Sequence, residues 1–199
     1  MLPEQGVVRA LRQRRQGAAL VYTGPAGVGK THAAHALLTR LGVPVHVFPA
    51  TLPLSDWPAR LPAPRALPAW AAAALRRLPD GDGAPATLTA LLVALAPVGV
   101  LVDDLHDAPG LQAEALLRLA GSVDRARGVA LLLTTRQAAP AGLPACPVEP
   151  LPEDGTLALT HHELGPDVPP EAVAWVHARA QGNPLFTLEF LRYRGRDAA

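Results

Sequence analysis

Lysine is almost absent from this chain, in which one lysine stands against seventeen arginines among 199 residues. There is a single cysteine, which excludes an internal disulfide framework and suits a reducing compartment. Aromatic residues make up only 4% of the chain, and the scattered tryptophans predict no stacking platform for single-stranded nucleic acid. The formal net charge is only +1, so bulk charge predicts no attraction to nucleic acid or anionic lipid.

Long apolar runs are also lacking. The longest run, at residues 91–102, is short and interrupted by proline, so no bilayer-spanning segment is predicted. The opening MLPEQGVVRALRQRRQ is too polar for the apolar segment of a signal peptide, and we therefore expect a cytoplasmic protein. Because 49% of the residues are apolar, the chain can bury a core, and its 22 prolines indicate a coding bias rather than disorder.

Strand and helix signals alternate along the chain. Strands are predicted at residues 18–24, 43–50, 98–104 and 128–136, with a weak last strand at 145–151. Helices are predicted at residues 30–42, 68–78, 87–96, 111–123, 171–182 and 185–194. The proline-rich residues 49–68 are predicted to form a loop or a loosely packed excursion. Strands separated by helices favour a parallel sheet with α/β/α layers.

The segment GPAGVGKT, which begins at Gly24, matches the phosphate-loop pattern G-x-x-x-x-G-K-[ST] between a predicted strand and a predicted helix. Gly24, Gly27 and Gly29 permit positive φ, so that successive N–H groups can curl around a phosphate oxygen. Lys30, the only lysine, would contact the β- and γ-phosphates with a compact ammonium that arginine does not reproduce. Thr31 would place its hydroxyl on Mg²⁺. The alternative interpretation is a glycine-rich turn that merely caps a helix.

Two carboxylates end the predicted strand VGVLVDD, at the sheet edge where ligands bind in open α/β folds. Asp103 is predicted to hold Mg²⁺ through water, and Asp104 to point toward the γ-phosphate and polarise the attacking water. A polar exit from a strand is the alternative, and it occurs in any protein. The phosphate loop upstream makes the catalytic interpretation the favoured one.

The motifs GPAGVGKT, VLVDDLHDA, LLLTTR, PLPEDGTLAL and QGNPLFTLEFL occur in this order. The set resembles the STAND class of P-loop NTPases, which includes AAA+-like ATP-binding domains of large bacterial transcription regulators. The resemblance implies a three-layer α/β/α P-loop NTPase core at residues 1–150, with a parallel sheet of order 5-1-4-3-2. A partial helical lid subdomain at residues 151–199 would follow.

The same resemblance implies roles for individual residues. Arg136, after the strand LLLTT, would sense the γ-phosphate and act with Lys30 and Asp104 in catalysis. Pro184 of the Gly-Asn-Pro sequence would pack near the nucleotide base, although the sequence alone reads as a helix C-cap followed by a turn. His106 is interpreted as a hydrogen-bonded loop residue. The predicted ATP- or ADP-binding residues are Gly24, Pro25, Ala26, Gly27, Val28, Gly29, Lys30, Thr31, His32 and Pro184, and the predicted Mg²⁺ ligands are Thr31 and Asp103.

Two features depart from the family pattern. Members usually carry a glycine-arginine-glutamate segment ahead of the phosphate loop that helps to hold the adenine, and this chain has MLPEQGVVRALRQ there. Members also continue past GNPL into further helices, a winged-helix subdomain and sensor arrays, whereas this sequence stops at Ala199. We therefore expect either a piece of a larger regulator or a small protein that borrows those parts from a partner.

Together these features predict an ATP-binding, slowly hydrolysing switch domain that acts on further domains, a protein partner or copies of itself. A P-loop kinase and a non-hydrolysing nucleotide-binding module are the alternatives. Kinases of this size carry extra arginines in mobile lids, and residues 49–68 offer only Arg60 and Arg65. Direct nucleic-acid binding is not predicted, because the basic cluster is interpreted as a solvated face. That cluster comprises Arg9, Arg12, Arg14 and Arg15.

Overall fold

A sheet of five strands lies at the centre of the computed structural model, which describes residues 3–13, 16–64, 67–76 and 84–197. The strands are β1 (Ala18–Thr23), β2 (Val45–Pro49), β3 (Val98–Asp103), β4 (Val129–Thr135) and β5 (Ala145–Pro147). Strands β1 and β3 pair in parallel with β4, and β2 pairs in parallel with β3. The order β2-β3-β4-β1-β5 is the predicted order read in reverse, so the predicted α/β fold is confirmed.

The helices of the described residues follow the predicted alternation with three additions. They are α1 (Glu4–Gln13), α2 (Lys30–Arg40), α3 (Trp57–Arg60), α4 (Ala69–Leu75), α5 (Ala84–Leu95), α6 (Gly110–Val123), α7 (Glu153–Leu164), α8 (Pro170–Ala180) and α9 (Pro184–Asp197). No bounds were predicted for α1, α3 or α7. Short 3₁₀ turns at Leu54–Asp56 and Leu105–Asp107 precede α3 and α6.

Helices cover both faces of the sheet. On one face, Val21, Val100 and Leu131 share a core cluster with apolar side chains of α5 and α6. On the other face, Gly99 leaves room for Leu38 of α2, since a Cβ at position 99 would lie 2.8 Å from Leu38 Cδ2. Because neither face is open to solvent, all seven residues of β4 are buried.

Helix α1 packs on the sheet through a short apolar stripe of Val7, Ala10 and Leu11, all of which are buried. Its first residue, Glu4, accepts a hydrogen bond of 2.7 Å from the Tyr22 hydroxyl on β1. Burial and the Glu4 carboxylate both raise the pKa of Tyr22, so the phenol keeps its proton and this bond at neutral pH. The N-terminal helix is thus attached to the strand that leads into the phosphate loop.

After the end of β2 at Pro49, the described part of the proline-rich residues 49–68 contains only a 3₁₀ turn and the four-residue α3, as their prolines predict. The prediction that this segment is loosely packed is wrong. Trp57 is fully buried and stacks on Phe48 of β2, with ring centroids 4.4 Å apart. Leu54 and Leu61 belong to the same core cluster, because the apolar side chains between the prolines reach the sheet.

The chain divides into two compact units. One unit comprises residues up to Thr23 together with Thr31–Cys146. The other, which we call the helical unit, comprises the phosphate loop Gly24–Lys30 and the residues from Pro147 onward. The sequence-based division into a core at residues 1–150 and a lid at residues 151–199 stays a prediction.

Within the helical unit, α7, α8 and α9 pack against one another. Thr156 of α7 lies 2.8 Å from His177 Nδ1 of α8. Trp175 of α8 meets Phe190 of α9 edge-on, with ring centroids 6.3 Å apart, and the Arg179 guanidinium lies 4.4 Å above the Trp175 ring. The helices are therefore joined by aromatic and polar contacts as well as by aliphatic packing.

The structure bears on the predicted lack of a membrane span and on the basic cluster. No helix in the described ranges combines the length and the apolar character that crossing a membrane requires. Of the basic cluster, Arg9 and Arg12 lie on α1, whereas Arg14 and Arg15 lie outside the described residues, as does Arg65.

The packing of the proline-rich segment generates a stability prediction. Trp57→Ala should lower the free energy of unfolding by about 3–5 kcal/mol, because it removes a fully buried aromatic side chain. The control is Trp70→Ala on α4, where the side chain is 57% exposed and the expected loss is below about 0.5 kcal/mol. Urea unfolding followed by circular dichroism compares the two, and equal losses would contradict the packing described here.

Candidate functional site

The loop between β1 and α2 has positive φ angles at its three glycines. Gly24, Gly27 and Gly29 have φ values of 148°, 74° and 98°, in the region that side chains disfavour. At two of them there is also no space for a side chain. A Cβ on Gly24 would lie 2.9 Å from the Val148 carbonyl oxygen, and one on Gly27 would lie 2.6 Å from Leu185 Cβ. Around Gly29 the space is open.

Four successive carbonyl groups of this loop accept hydrogen bonds. Lys30 Nζ lies 3.0 Å from the carbonyl oxygen of Gly24 and 2.7 Å from that of Pro25. The side-chain amide of Asn183 donates to the Ala26 carbonyl at 2.8 Å. The backbone N–H of Leu185 donates to the Gly27 carbonyl at 3.3 Å. These four acceptors are thus occupied by protein donors, which leaves the N–H groups of the loop as groups that can bind an anion.

Lys30 is buried, with 6% of its surface exposed. Burying an ammonium costs free energy unless hydrogen-bond acceptors replace its water, and the carbonyls of Gly24 and Pro25 are such acceptors. Its predicted contact with the β- and γ-phosphates stays a prediction. The Lys30 ammonium lies on the loop that would hold those phosphates.

The predicted magnesium ligands meet directly. The Thr31 hydroxyl, in the first turn of α2, donates to Asp103 Oδ1 at 2.6 Å, although the two residues lie 72 positions apart. Both groups are hard oxygen donors of the type that Mg²⁺ prefers, and Mg²⁺ sites of NTPases need few protein ligands because phosphates and waters complete them. The described residues contain no group of three or more His, Cys, Asp or Glu placed to hold a metal. The residues present therefore fit Mg²⁺ bound together with a phosphate.

The sequence did not identify Thr134, a fully buried residue of β4. Its hydroxyl donates to the same Asp103 oxygen at 2.6 Å and accepts from the backbone N–H of Asp104 at 2.9 Å. Thr134 thus orients one carboxylate and fixes the backbone of the next residue. The signal for it in the sequence is the pair of threonines that ends an otherwise apolar strand, within the segment LLLTTR.

The two adjacent aspartates have different environments. Asp104 adopts a left-handed conformation, with φ 55° and ψ 57°, and its side chain is 38% exposed. The ring of His106, whose two nitrogens are buried, lies between two carboxylates, with Nδ1 3.7 Å from Asp104 and Nε2 3.5 Å from Asp107. Neither ring nitrogen has a hydrogen-bond partner among the described residues, so the interpretation of His106 as a hydrogen-bonded residue is wrong.

The remaining predicted residues lie at element ends. Arg136 is exposed directly after β4, whose last residue Thr135 pairs with Thr23 of β1. His32 is exposed in the first turn of α2. Pro184 begins α9, where its fixed φ suits the first helical position. No contact among the described residues assigns these three a function, and their roles stay predictions.

The turn before α9 resembles the helix C-cap and turn that the sequence predicts for Gly-Asn-Pro. Helix α8 ends at Ala180, and Gln181 and Gly182 both have positive φ values, of 51° and 70°. A Cβ on Gly182 would collide with the carbonyl oxygen of Leu151, whose N–H donates to the Gly182 carbonyl at 2.8 Å. Glycine is therefore required here by both backbone conformation and space.

The chain matches no protein-family model and no curated protein. Solved structures do resemble it. A Signal Transduction ATPase with Numerous Domains (STAND) protein with a tetratricopeptide repeat sensor, from Pyrococcus horikoshii, covers 90% of this chain with a TM-score of 0.59 and 13% identity. A point mutant of RuvB from Thermotoga maritima covers 98% with a TM-score of 0.61 and 16% identity. The AAA domain of FIGL-1 in complex with ADP covers 88% with a TM-score of 0.55 and 12% identity.

The match spans 28% of the STAND chain, 60% of the RuvB chain and 61% of the FIGL-1 chain. At identities this low the likeness concerns the fold alone. The sheet order and the phosphate loop between β1 and α2 agree with that likeness. The chain has the α/β fold of the P-loop, AAA+-like NTPases.

Proposed function

We propose that this chain is an ATP-binding, slowly ATP-hydrolysing switch domain. The observation that supports the proposal most strongly is the hydrogen bond between Thr31 and Asp103, at 2.6 Å. It joins the residue that ends the phosphate-loop motif to the first carboxylate after an apolar strand. These are the two places where a magnesium nucleotide needs oxygen ligands.

The phosphate loop binds the triphosphate through its backbone N–H groups and through Lys30. The positive φ values of Gly24, Gly27 and Gly29 curl the backbone so that successive N–H groups can converge on one anion. The N-terminus of α2 adds the positive end of a helix dipole. The ammonium of Lys30 supplies the full positive charge that the β- and γ-phosphates require.

Thr31 and Asp103 hold the metal, and Thr134 keeps the Asp103 carboxylate in place. Mg²⁺ held by these residues would neutralise charge on the phosphates. Thr31 would contribute its hydroxyl oxygen, and Asp103 a carboxylate oxygen through water. Because Thr134 donates to the same Asp103 oxygen, it limits rotation of that carboxylate.

Asp104 and Arg136 act on the γ-phosphate end of the nucleotide. The partly exposed Asp104 carboxylate accepts a proton from the attacking water, and Arg136 complements the charge that develops on the transferred phosphate. Pro184 would pack near the base, and His32 would lie near the phosphates. These roles follow from the family resemblance and from the position of the residues at the ends of β3, β4, α2 and α9.

The output of the domain is a conformational change in residues 151–199 that reaches a protein partner, further domains or another copy of the chain. The two alternative functions, a kinase and a non-hydrolysing module, would give different products from ATP. Purified protein incubated with Mg-ATP, with and without small-molecule acceptors, separates the three. Phosphate release without an acceptor supports the switch, transfer to an acceptor supports a kinase, and tight binding without turnover supports the passive module.

The role of Lys30 predicts a specific loss of affinity. Lys30→Ala should weaken Mg-ATP binding about ten- to a hundredfold, since hydrogen bonds to charged groups contribute about 1.5–3 kcal/mol. Arg40→Ala, in the last turn of the same helix, removes the same charge and should change the affinity less than about twofold. Isothermal titration calorimetry measures both variants. Wild-type affinity in Lys30→Ala would refute the phosphate-loop assignment.

The role of Asp104 predicts that its substitution slows ATP hydrolysis without weakening ATP binding. Asp104→Asn keeps the left-handed backbone, which asparagine tolerates, and should slow single-turnover hydrolysis about a hundredfold or more while leaving Mg-ATP affinity unchanged. Asp107→Asn alters a more exposed carboxylate in the same turn and should leave both quantities unchanged. Equal losses of affinity and rate in Asp104→Asn would contradict a catalytic role.

The role of Thr134 predicts a change in magnesium dependence. Thr134→Val keeps the side-chain shape but removes both hydrogen bonds, and should raise the Mg²⁺ concentration for half-maximal ATP binding about tenfold. Thr89→Val is the control, because that hydroxyl also makes two contacts of 2.7 Å, with Pro85 and Ser122, away from the carboxylates. Both variants should lose stability, and an unchanged magnesium titration in Thr134→Val would disprove this role.

A further inference from the structure

Asn183 connects the turn between α8 and α9 to the phosphate loop, and both belong to the helical unit. Its side-chain nitrogen donates to the Ala26 carbonyl at 2.8 Å, across 157 positions of sequence. Two residues later, the backbone N–H of Leu185 donates to the Gly27 carbonyl at 3.3 Å. Two consecutive carbonyls of the loop are therefore fixed by one turn.

Fixing these carbonyls also fixes the N–H groups of the loop. In a planar trans peptide, the C=O of one residue and the N–H of the next point in opposite directions. When the Ala26 carbonyl points toward Asn183, the N–H of Gly27 points away from it. The Gly27 carbonyl orients the N–H of Val28 in the same manner. These N–H groups are among the donors that the proposed function assigns to the phosphates.

The close approach of the turn explains why residue 27 is glycine. Besides a φ of 74°, a Cβ at this position would lie 2.6 Å from Leu185 Cβ and 2.8 Å from Asn183 Oδ1. Real side chains do not make such contacts without displacing a neighbour. The turn thus packs against the loop at van der Waals distance as well as binding it.

The two ends of the Asn183 amide have different functions. Its oxygen accepts from the backbone N–H groups of Leu185, at 3.0 Å, and Phe186, at 3.4 Å. It therefore caps the N-terminus of α9, which Pro184 begins. Because the oxygen is fixed by the cap, the nitrogen is directed at the Ala26 carbonyl. Serine or aspartate could cap the helix equally well, but neither carries this amide donor.

We propose that Asn183 is a positioning residue for phosphate binding, which holds the Ala26–Gly27 peptide so that its N–H faces the nucleotide phosphates. The inference rests on the proposed function and adds to it a residue outside the phosphate-loop motif. It also assigns the Gly-Asn-Pro turn an effect on the phosphates, in addition to the base contact proposed for Pro184.

Asn183→Ser tests this proposal, because serine keeps the helix cap and loses the bond to Ala26. The probes are Mg-ATP and inorganic tripolyphosphate, which lacks a base, each titrated by calorimetry. We expect both affinities to fall by the same factor, about three- to tenfold, while the melting temperature stays within about 2 °C of wild type. Asn183→Ala should lower both affinities and the melting temperature, since it also removes the cap.

A matched control exists elsewhere in the chain. Gln112 also donates a side-chain amide to a distant backbone carbonyl, that of Leu52, at 2.6 Å. Gln112→Ala should therefore leave both affinities unchanged even where it lowers the melting temperature. An equal loss of affinity in this control would show that the effect of Asn183 is only loss of stability, and would overturn the proposal.

The remaining outcomes separate this inference from the proposed function. If wild-type protein binds both probes and Asn183→Ser binds them equally well, Asn183 does not position the loop and the proposed function stands. If Asn183→Ser loses affinity for Mg-ATP but not for tripolyphosphate, the turn acts on the base and the proposal is overturned. If wild-type protein binds neither probe, the proposed function fails and this inference fails with it.

Discussion

The conformation of the phosphate loop depends on the donors that bind its carbonyl groups. A loop with three glycines at positive φ has little intrinsic preference for one shape, because glycine loses more conformational entropy on folding than other residues. Lys30 binds two of the carbonyls, and the turn around Asn183 binds the next two. A loop whose shape is fixed before the ligand arrives does not pay the ordering entropy on binding, so these contacts favour affinity as well as folding.

The aspartates at the end of β3 are likewise held by hydrogen bonds from neighbouring residues. Asp103 accepts from two threonine hydroxyls at 2.6 Å, and one of these, Thr134, also binds the N–H of Asp104. One aspartate is therefore oriented by its neighbours, while the next turns away in a left-handed conformation. Adjacent carboxylates with unlike surroundings can have unlike functions, one holding a cation and the other accepting a proton. The local geometry thus agrees with the division of roles that the proposed function requires.

Sequence patterns predicted the features that are local or periodic. The glycine spacing, the apolar strands and the acidic strand end led to the parallel α/β sheet and to Thr31 and Asp103 as partners at one site, whereas the strand order came from the family resemblance. Helix α7 was predicted without bounds because its buried residues include Thr156 and Thr160, so its buried face does not read as apolar. Asn183 was missed as a loop contact because its partner lies 157 positions away, and only the folded chain brings a distant amide to a particular carbonyl.

The single lysine can now be explained by more than its charge. Its nitrogen lies 2.7 and 3.0 Å from two successive carbonyl oxygens, in a site that leaves only 6% of the residue exposed. An ammonium is a compact donor whose protons rotate to meet acceptors in several directions, whereas a guanidinium presents its donors in one rigid plane. Arginine would therefore need both more space and a different arrangement of acceptors. In a chain that otherwise uses arginine for every basic position, the geometry of the loop carbonyls selects lysine here.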